Sequence, residues 1–382
     1  MTVTLAGLAT VVPPTVLVQD EVRDVFAAQP GLTRLAQRIV STSFGVSGIE
    51  TRHTVLEELT RSARDPGDPA LFFDAESGEL LLPGTKARND LYAEHAGRLY
   101  VEAGRAALDR AVGLAADDVT HVVTVSCTGF YAPGPDFVLA RDLGLRAGVQ
   151  RYHLGFMGCY ASMPALRLAA QLCEADPDAV VLVVSVELCT LHLRTSNDPD
   201  TIVATSLFAD GAGAAIVTAR PAAAGERVLE LDRFATRTTP QGEGDMAWKI
   251  GDHGFEMVLS NAVPGLIGEH ITGALAPLLA EEADLADALA AQTAGDAITH
   301  WAVHPGGRSI LDKVEAALAL SASQLAPARR ILRDFGNMSS ATVLFVLRDI
   351  LDAPETSNGD RIAAMAFGPG LTVESALMTV RG

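Results

Sequence analysis

Two stretches of this chain, one in each half, repeat the same punctuation, and that repetition restricts the fold more than any other feature. In the first half an apolar run over 123–129 ends in Ser126, Cys127, Thr128 and Gly129; in the second, a run over 301–307 ends in His304, Pro305, Gly306 and Gly307. Past the first lie Gly158, Cys159 and a helical pattern, with Cys159 32 residues beyond Cys127. Past the second lie Gly336, Asn337 and another helical pattern, with Asn337 33 residues beyond His304. A duplicated chain has to repeat its strand-to-loop punctuation at matching distances. Two matches at nearly equal spacing predict a duplicated α/β domain whose halves, related by a pseudo-twofold axis, bring all four loop ends together.

The local patterns agree with an α/β fold. Apolar residues recur at helical spacing over 89–114 and 160–174, and short β-branched runs at 119–125 and 179–186 read as buried strands. Strands alternating with helices indicate a mixed or parallel sheet. Residues 15–56 read as helical, turning at Gly45 and Gly48. Residues 61–90, rich in Pro, Gly and Asp, read as a surface excursion, and the alanine-rich, acidic tract 274–297 as a solvated helix and loop. The stretch 220–227, with Pro221, three alanines and Gly225, is the candidate joint. It divides the 382 residues into halves 1–222 and 223–382, in keeping with two domains or one double-sized domain.

Charge and cysteine usage exclude several functions. The formal net charge of −18 argues against nucleic acid and against an anionic membrane as partner, since both are bound through clustered Lys and Arg. An anionic substrate needs a local basic patch instead. Residues 1–14 carry no Lys or Arg and are interrupted by Pro13 and Pro14, so no signal peptide is expected. The most apolar run, 179–186, is far shorter than the roughly 20 residues that span a bilayer. A cytosolic protein is the expectation. Cys127, Cys159, Cys173 and Cys189 form neither a disulfide framework nor a paired zinc motif, and no metal site is expected.

Three residues carry the candidate chemistry. Cys159, at the start of a helical pattern, is placed where unpaired backbone N–H groups favour a thiolate and lower the thiol pKa from about 8.5; the alternative is a small buried hydrophobe. His304 ends a strand, where a rigid scaffold presents catalytic side chains. Asn337 precedes a helical pattern over 339–350, and is either its N-cap or an amide N–H donor to an oxyanion. A Cys–His–Asn set serves amide hydrolysis or acyl transfer with carbon–carbon bond formation. Parallel loops of a duplicated fold suit the second, because both donors can then face one oxygen.

These residues resemble the type III polyketide synthases, chalcone-synthase-like enzymes of the thiolase fold, in their bacterial branch. The resemblance runs from about residue 3 to 380. It rests on Gly158–Tyr160, on Leu207, Phe208, Ala209, Asp210 and Gly211, on His304, Pro305, Gly306 and Gly307, on the segment 336–341, and on the segment 367–374. It implies a duplicated fold of αβαβα layers and a catalytic triad of Cys159, His304 and Asn337. An acyl-CoA starter would load on Cys159, malonyl-CoA would lose CO2 under His304 and Asn337, and the product would cyclise, with no metal or redox cofactor. By the same resemblance Phe208 and Met257 are gatekeepers, and Cys127 lines the cavity. Ala132 stands where plant members place a methionine that reaches the partner's cavity, which implies a homodimer. Arg34 and Arg38, on one helix face, fall in the family's CoA-phosphate region, and Gly307 and Ser309 near the pantetheine arm. Small Ala132 and flexible Met257 suggest a fatty acyl starter and an alkylpyrone or alkylresorcinol product.

Competing assignments remain at this level. A β-ketoacyl-carrier-protein synthase III usually has Gln, Ala and Asn after the histidine, where this chain has Pro305, Gly306 and Gly307. Hydroxymethylglutaryl-CoA synthase needs a glutamate acid near the cysteine, and nothing in the sequence demands one. A papain-like hydrolase expects its cysteine near the mature N-terminus in a secretory context. A silent scaffold of the same fold would show no CoA-dependent CO2 release.

Overall fold

The computed structural model describes residues 2–60 and 70–382. Part of the predicted excursion, 61–69, lies outside the described residues. Nine strands form one sheet in the order His300–Val303, Arg361–Gly368, Thr372–Arg381, Val228–Thr238, Thr4–Val11, Asp210–Thr218, Val180–Leu188, His121–Ser126 and Gln150–Gly155.

The predicted duplication is written in that order. From the centre outward, the first half runs Thr4–Val11, Asp210–Thr218, Val180–Leu188, His121–Ser126: antiparallel, antiparallel, parallel. The second half repeats this with Val228–Thr238, Thr372–Arg381, Arg361–Gly368 and His300–Val303. Among the described residues only Gln150–Gly155, parallel to His121–Ser126, has no counterpart. The halves meet where Thr4 faces Glu230 and Leu5 faces Leu229.

Helix packing supplies the layers. Thr85–Arg110 covers the outer face of the first half-sheet, and Val263–Leu279 that of the second. Ser162–Ala175 and Thr342–Asp352 each touch strands of both halves, so they are the middle layer of an α/β/α/β/α stack. Residues Thr342 to Leu347 are all buried, as a helix between two sheets requires. Val180–Leu188 is buried at every position, which is why it reads as an unbroken apolar run and not as an alternating one.

Three local expectations are corrected. Residues 15–56 are a hairpin of strands Thr15–Val18 and Thr51–Thr54 enclosing helices Gln19–Ala27 and Arg34–Val46. Strands of four residues are too short to show a period of two. The excursion ends at Gly84, since Thr85 already opens a helix. The tract 274–297 is no solvated appendage: Leu275, Leu278, Leu279, Leu285 and Leu289 are buried against the second half-sheet's outer layer.

Candidate active site

The site forms where the two halves present their strand ends. Cys127 follows His121–Ser126, Cys159 follows Gln150–Gly155, His304 follows His300–Val303 and Pro369 follows Arg361–Gly368. Carboxyl ends of strands are where α/β sheets bind ligands. Cys159, His304 and Asn337 line one buried cavity with Cys127, Phe208, Met257, Met246, Trp248, Ser339 and Gly306 among its walls. The empty space within these walls, its open mouth included, is about 490 Å³.

The turn carrying Cys159 is tightly specified. Gly158 has φ +75, and a Cβ there would lie 2.4 Å from the Pro369 ring. Glycine therefore lets the loop ends of the two halves touch, with Cys159 on a 3-10 turn, Gly158–Tyr160, that leads into the helix Ser162–Ala175. Burial, not the helix end, dominates the thiol. It pushes Cys159 up to about 12, opposed only in part by the Ser339 hydroxyl and the Asn337 amide. The expected lowering is thus not seen for the thiol taken alone, because the helix proper begins three residues later and the sulfur is out of water.

His304 is held by its own backbone, its N–H donating to Met365 O at 2.8 Å and its carbonyl accepting Gly306 N–H at 2.9 Å. Both ring nitrogens are buried and have no hydrogen-bond partner among the described residues. Burial pulls the imidazole down to about 3, so it is neutral and can accept a proton. Asn337 is the N-cap of neither following element, since Met338 precedes the 3-10 turn Ser339–Ala341 and Ala341 precedes the helix Thr342–Asp352. Its Oδ1 accepts Ser339 N–H at 2.9 Å, closing the turn before Thr342–Asp352, while Nδ2 donates to Gly306 O at 3.2 Å beside His304.

The remaining expected residues divide in two. Phe208, Met257 and Cys127 line the cavity. Ala132 is exposed and outside its own chain's cavity, joined to Pro133 by a cis peptide bond. Gly307 is buried ahead of the helix Arg308–Leu318, and Ser309 is exposed. Arg34 and Arg38 are exposed at the start of their helix, whereas its other end meets this turn: a Cβ on Gly48 would lie 3.6 Å from the Arg308 side chain. Arg38 is thus ten residues from the contact, and Arg308 is the cation at the turn.

Two residues were not anticipated. Trp248 lines the cavity and donates its indole N–H to Cys127 O at 2.7 Å. It stands opposite Met257 in the hairpin of Met246–Gly251 and Gly254–Leu259, which the alternation of Met246, Trp248 and Ile250 before Gly251–Gly254 signals in the sequence. Glu187 is fully buried at the end of Val180–Leu188. It accepts from Cys127 N at 2.9 Å, Thr128 Oγ1 at 3.0 Å and the Cys127 thiol at 3.4 Å, and also from Ser340. Burial raises its pKa and these donors oppose the rise. The Cys127 thiol, buried and next to this carboxylate, is pushed well above its ordinary value and stays protonated.

A layered, duplicated fold with Cys, His and Asn at converging loop ends defines a thiolase-fold condensing acyltransferase. The comparisons give the family. The family model for chalcone and stilbene synthases, N-terminal domain, matches residues 2–221, and that for the C-terminal domain matches 230–381. Bisdemethoxycurcumin synthase of Oryza sativa subsp. japonica is 33% identical over 97% of this chain and 91% of its own. Among solved structures, PKS-I of the brown alga Ectocarpus siliculosus superposes with a TM-score of 0.87 at 28% identity, over 99% of this chain and 98% of that one. The 1,3,6,8-tetrahydroxynaphthalene synthase of Streptomyces coelicolor, a bacterial type III polyketide synthase, gives 0.84 at 26%, over 99% of each. The chain belongs to the chalcone and stilbene synthase family and is a type III polyketide synthase, an acyltransferase that condenses malonyl-CoA units.

Proposed function

We propose that Cys159 is the nucleophile, His304 its base and Asn337 the second oxyanion donor. The carrying observation is the convergence of all three on one buried cavity from separate loop ends. His304 takes the Cys159 proton, and the thiolate attacks the starter acyl-CoA carbonyl as CoA leaves with that proton. Malonyl-CoA then loses CO2, its bonding pair passing to C2, while N–H groups of His304 and Asn337 hold the enolate oxygen. C2 attacks the acyl-Cys159 carbonyl and expels the thiolate, giving an acyl-CoA two carbons longer. The sequence is redox-neutral, and CoA thioesters suffice as substrates. Arg308, at the Gly307–Ser309 turn, is an exposed cation available to the CoA phosphates, as are Arg34 and Arg38 on the helix that ends beside it.

The cavity walls argue for a small starter. Trp248, Met257 and Phe208 close in on the sulfur, and set against the fatty acyl starter suggested by Ala132 and Met257 they favour a shorter one. We infer a short acyl starter. Mass spectrometry of products from malonyl-CoA and a graded set of acyl-CoA starters tests this, with Cys159→Ala and Trp248→Ala run beside the native protein. The expected result is a short product lost in Cys159→Ala and longer starters accepted in Trp248→Ala. Efficient extension of a long-chain starter by the native protein overturns the size assignment.

A homodimer is supported by the sheet's free edge. Gln150–Gly155 pairs on one side only and is largely exposed, flanked by exposed Phe130, Phe137, Tyr152 and Phe156. An exposed edge strand needs a cover, and a second copy pairing antiparallel across a twofold supplies one. Light scattering at micromolar concentration should give twice the chain mass, falling to the monomer in Phe137→Glu/Tyr152→Lys. A native monomer rejects the interface.

A further inference from the structure

Arg52 is a buried cation that the proposed mechanism does not use. It lies on the strand Thr51–Thr54 with no exposed surface. Its Nη1 donates to Thr205 O at 2.9 Å and Phe208 O at 2.7 Å, and the guanidinium lies 5.6 Å from the Phe44 ring centre. Nε and Nη2 have no partner among the described residues. The carboxylate of Asp210 accepts instead from Thr190 N, Thr190 Oγ1 and Val55 N. Burying a charge without a direct counterion is poor economy for stability alone.

What Arg52 supports is the backbone bearing Asn337. Asn337 N–H donates to Leu207 O at 2.9 Å, and Ala209 N–H donates to Asn337 O at 2.9 Å, so the Asn337 main chain is laced to both sides of Phe208. Arg52 grips the Phe208 carbonyl at the centre of that lacing. Its stem also fills the space below Gly336, where φ is +71 and a Cβ would stand 2.9 Å from Arg52 Cγ. The Cys159 turn is built from other elements, Gln150–Gly155 and Ser162–Ala175, and none of the Arg52 hydrogen bonds reaches it.

We propose that Arg52 is a positioning residue for the Asn337 half of the site: through the Phe208 carbonyl and the Gly336 turn it fixes where Asn337 Nδ2 stands when the malonyl unit loses CO2. The inference rests on the role given above to Asn337. It predicts a split between two partial reactions, because starter loading uses the Cys159 turn and decarboxylation uses Asn337.

The test compares Arg52→Met and Arg52→Lys with the native protein in three readouts: alkylation of Cys159 by iodoacetamide, CO2 release from malonyl-CoA, and the melting temperature. In Arg52→Met, alkylation should stay within about twofold while kcat for CO2 release falls at least about tenfold with KM nearly unchanged, as expected when a donor is displaced by a fraction of an ångström. Arg52→Lys, which keeps one charged donor, should recover part of the loss. Parallel loss of both reactions, or full CO2 release from a folded Arg52→Met, overturns the proposal. Should Arg52→Met not fold, Arg52→Lys decides by the same split. Absence of CO2 release from the native protein would instead reject the functional assignment, before any variant enters.

Discussion

Glutamine in place of His304 should collapse alkylation of Cys159 at neutral pH while leaving the protein folded. The thiol is buried, and burial, opposed only in part by hydrogen bonds, sets its pKa at about 12. Without a base, the thiolate fraction at pH 7 is on the order of 10⁻⁵, and the alkylation rate climbs about tenfold per pH unit towards that value. A raised acid pKa means that the reactive form is lost as pH falls. The native protein differs because the His304 imidazole, pulled down to about 3, is unprotonated across pH 5 to 9 and can take the thiol proton. Moving a proton from sulfur to nitrogen inside the cavity creates two opposite charges side by side, and burial penalises a neighbouring pair less than either charge alone. The native rate should therefore vary little over that range and exceed the variant's at pH 7 by about 10²–10⁴-fold, the usual worth of a positioned base. Iodoacetamide labelling followed by intact-mass measurement across pH 6 to 10 reads both profiles. Equal slopes in the two proteins would show that Cys159 and His304 do not act as a pair.

Much of this site was legible because its parts are local. Gly158 before Cys159 and Gly336 before Asn337 are turn residues whose φ values, +75 and +71, no ordinary side chain adopts freely. The repeat of strand, loop and helix recurs at fixed spacing, and the strand orders of the two half-sheets bear that duplication out. What escaped was non-local. Arg52 sits in a four-residue strand read as helix, and its partners are 153 and 156 residues away. Glu187 closes an apolar strand, where a lone carboxylate gives no hint that backbone and hydroxyl donors from two other loops surround it. Trp248 reaches the cavity from a separate hairpin, Met246–Gly251 with Gly254–Leu259, whose position at the site no local pattern gives. Sequence spacing pointed to the three residues proposed to react; the walls around them depend on contacts that spacing does not encode.

Asn337→Ala should lower CO2 release from malonyl-CoA by about 10²–10³-fold while Cys159 still alkylates at nearly the native rate. The magnitude is that of removing one oxyanion donor from a water-excluded site. The selectivity follows from geometry, since burial and the Ser339 hydroxyl act on the Cys159 thiol more strongly than the Asn337 amide does, and the Asn337 side chain is otherwise held by Nδ2 donating to Gly306 O and Oδ1 accepting Ser339 N–H. Alanine alone leaves an ambiguity, because it also frees Ser339, a residue at φ +46 whose hydroxyl lies 3.3 Å from the Cys127 sulfur. Asn337→Asp removes it. Aspartate keeps an acceptor for Ser339 N–H and so keeps the turn, but it replaces the donor with an oxygen facing Gly306 O and the developing enolate. If the turn were what mattered, aspartate would restore decarboxylation. If the N–H is what matters, aspartate should be no better than alanine, because a second negative oxygen would then meet the enolate in a buried cavity that screens the repulsion poorly. Equal or greater loss in Asn337→Asp, measured beside intact alkylation of Cys159, assigns the amide N–H to the decarboxylation step.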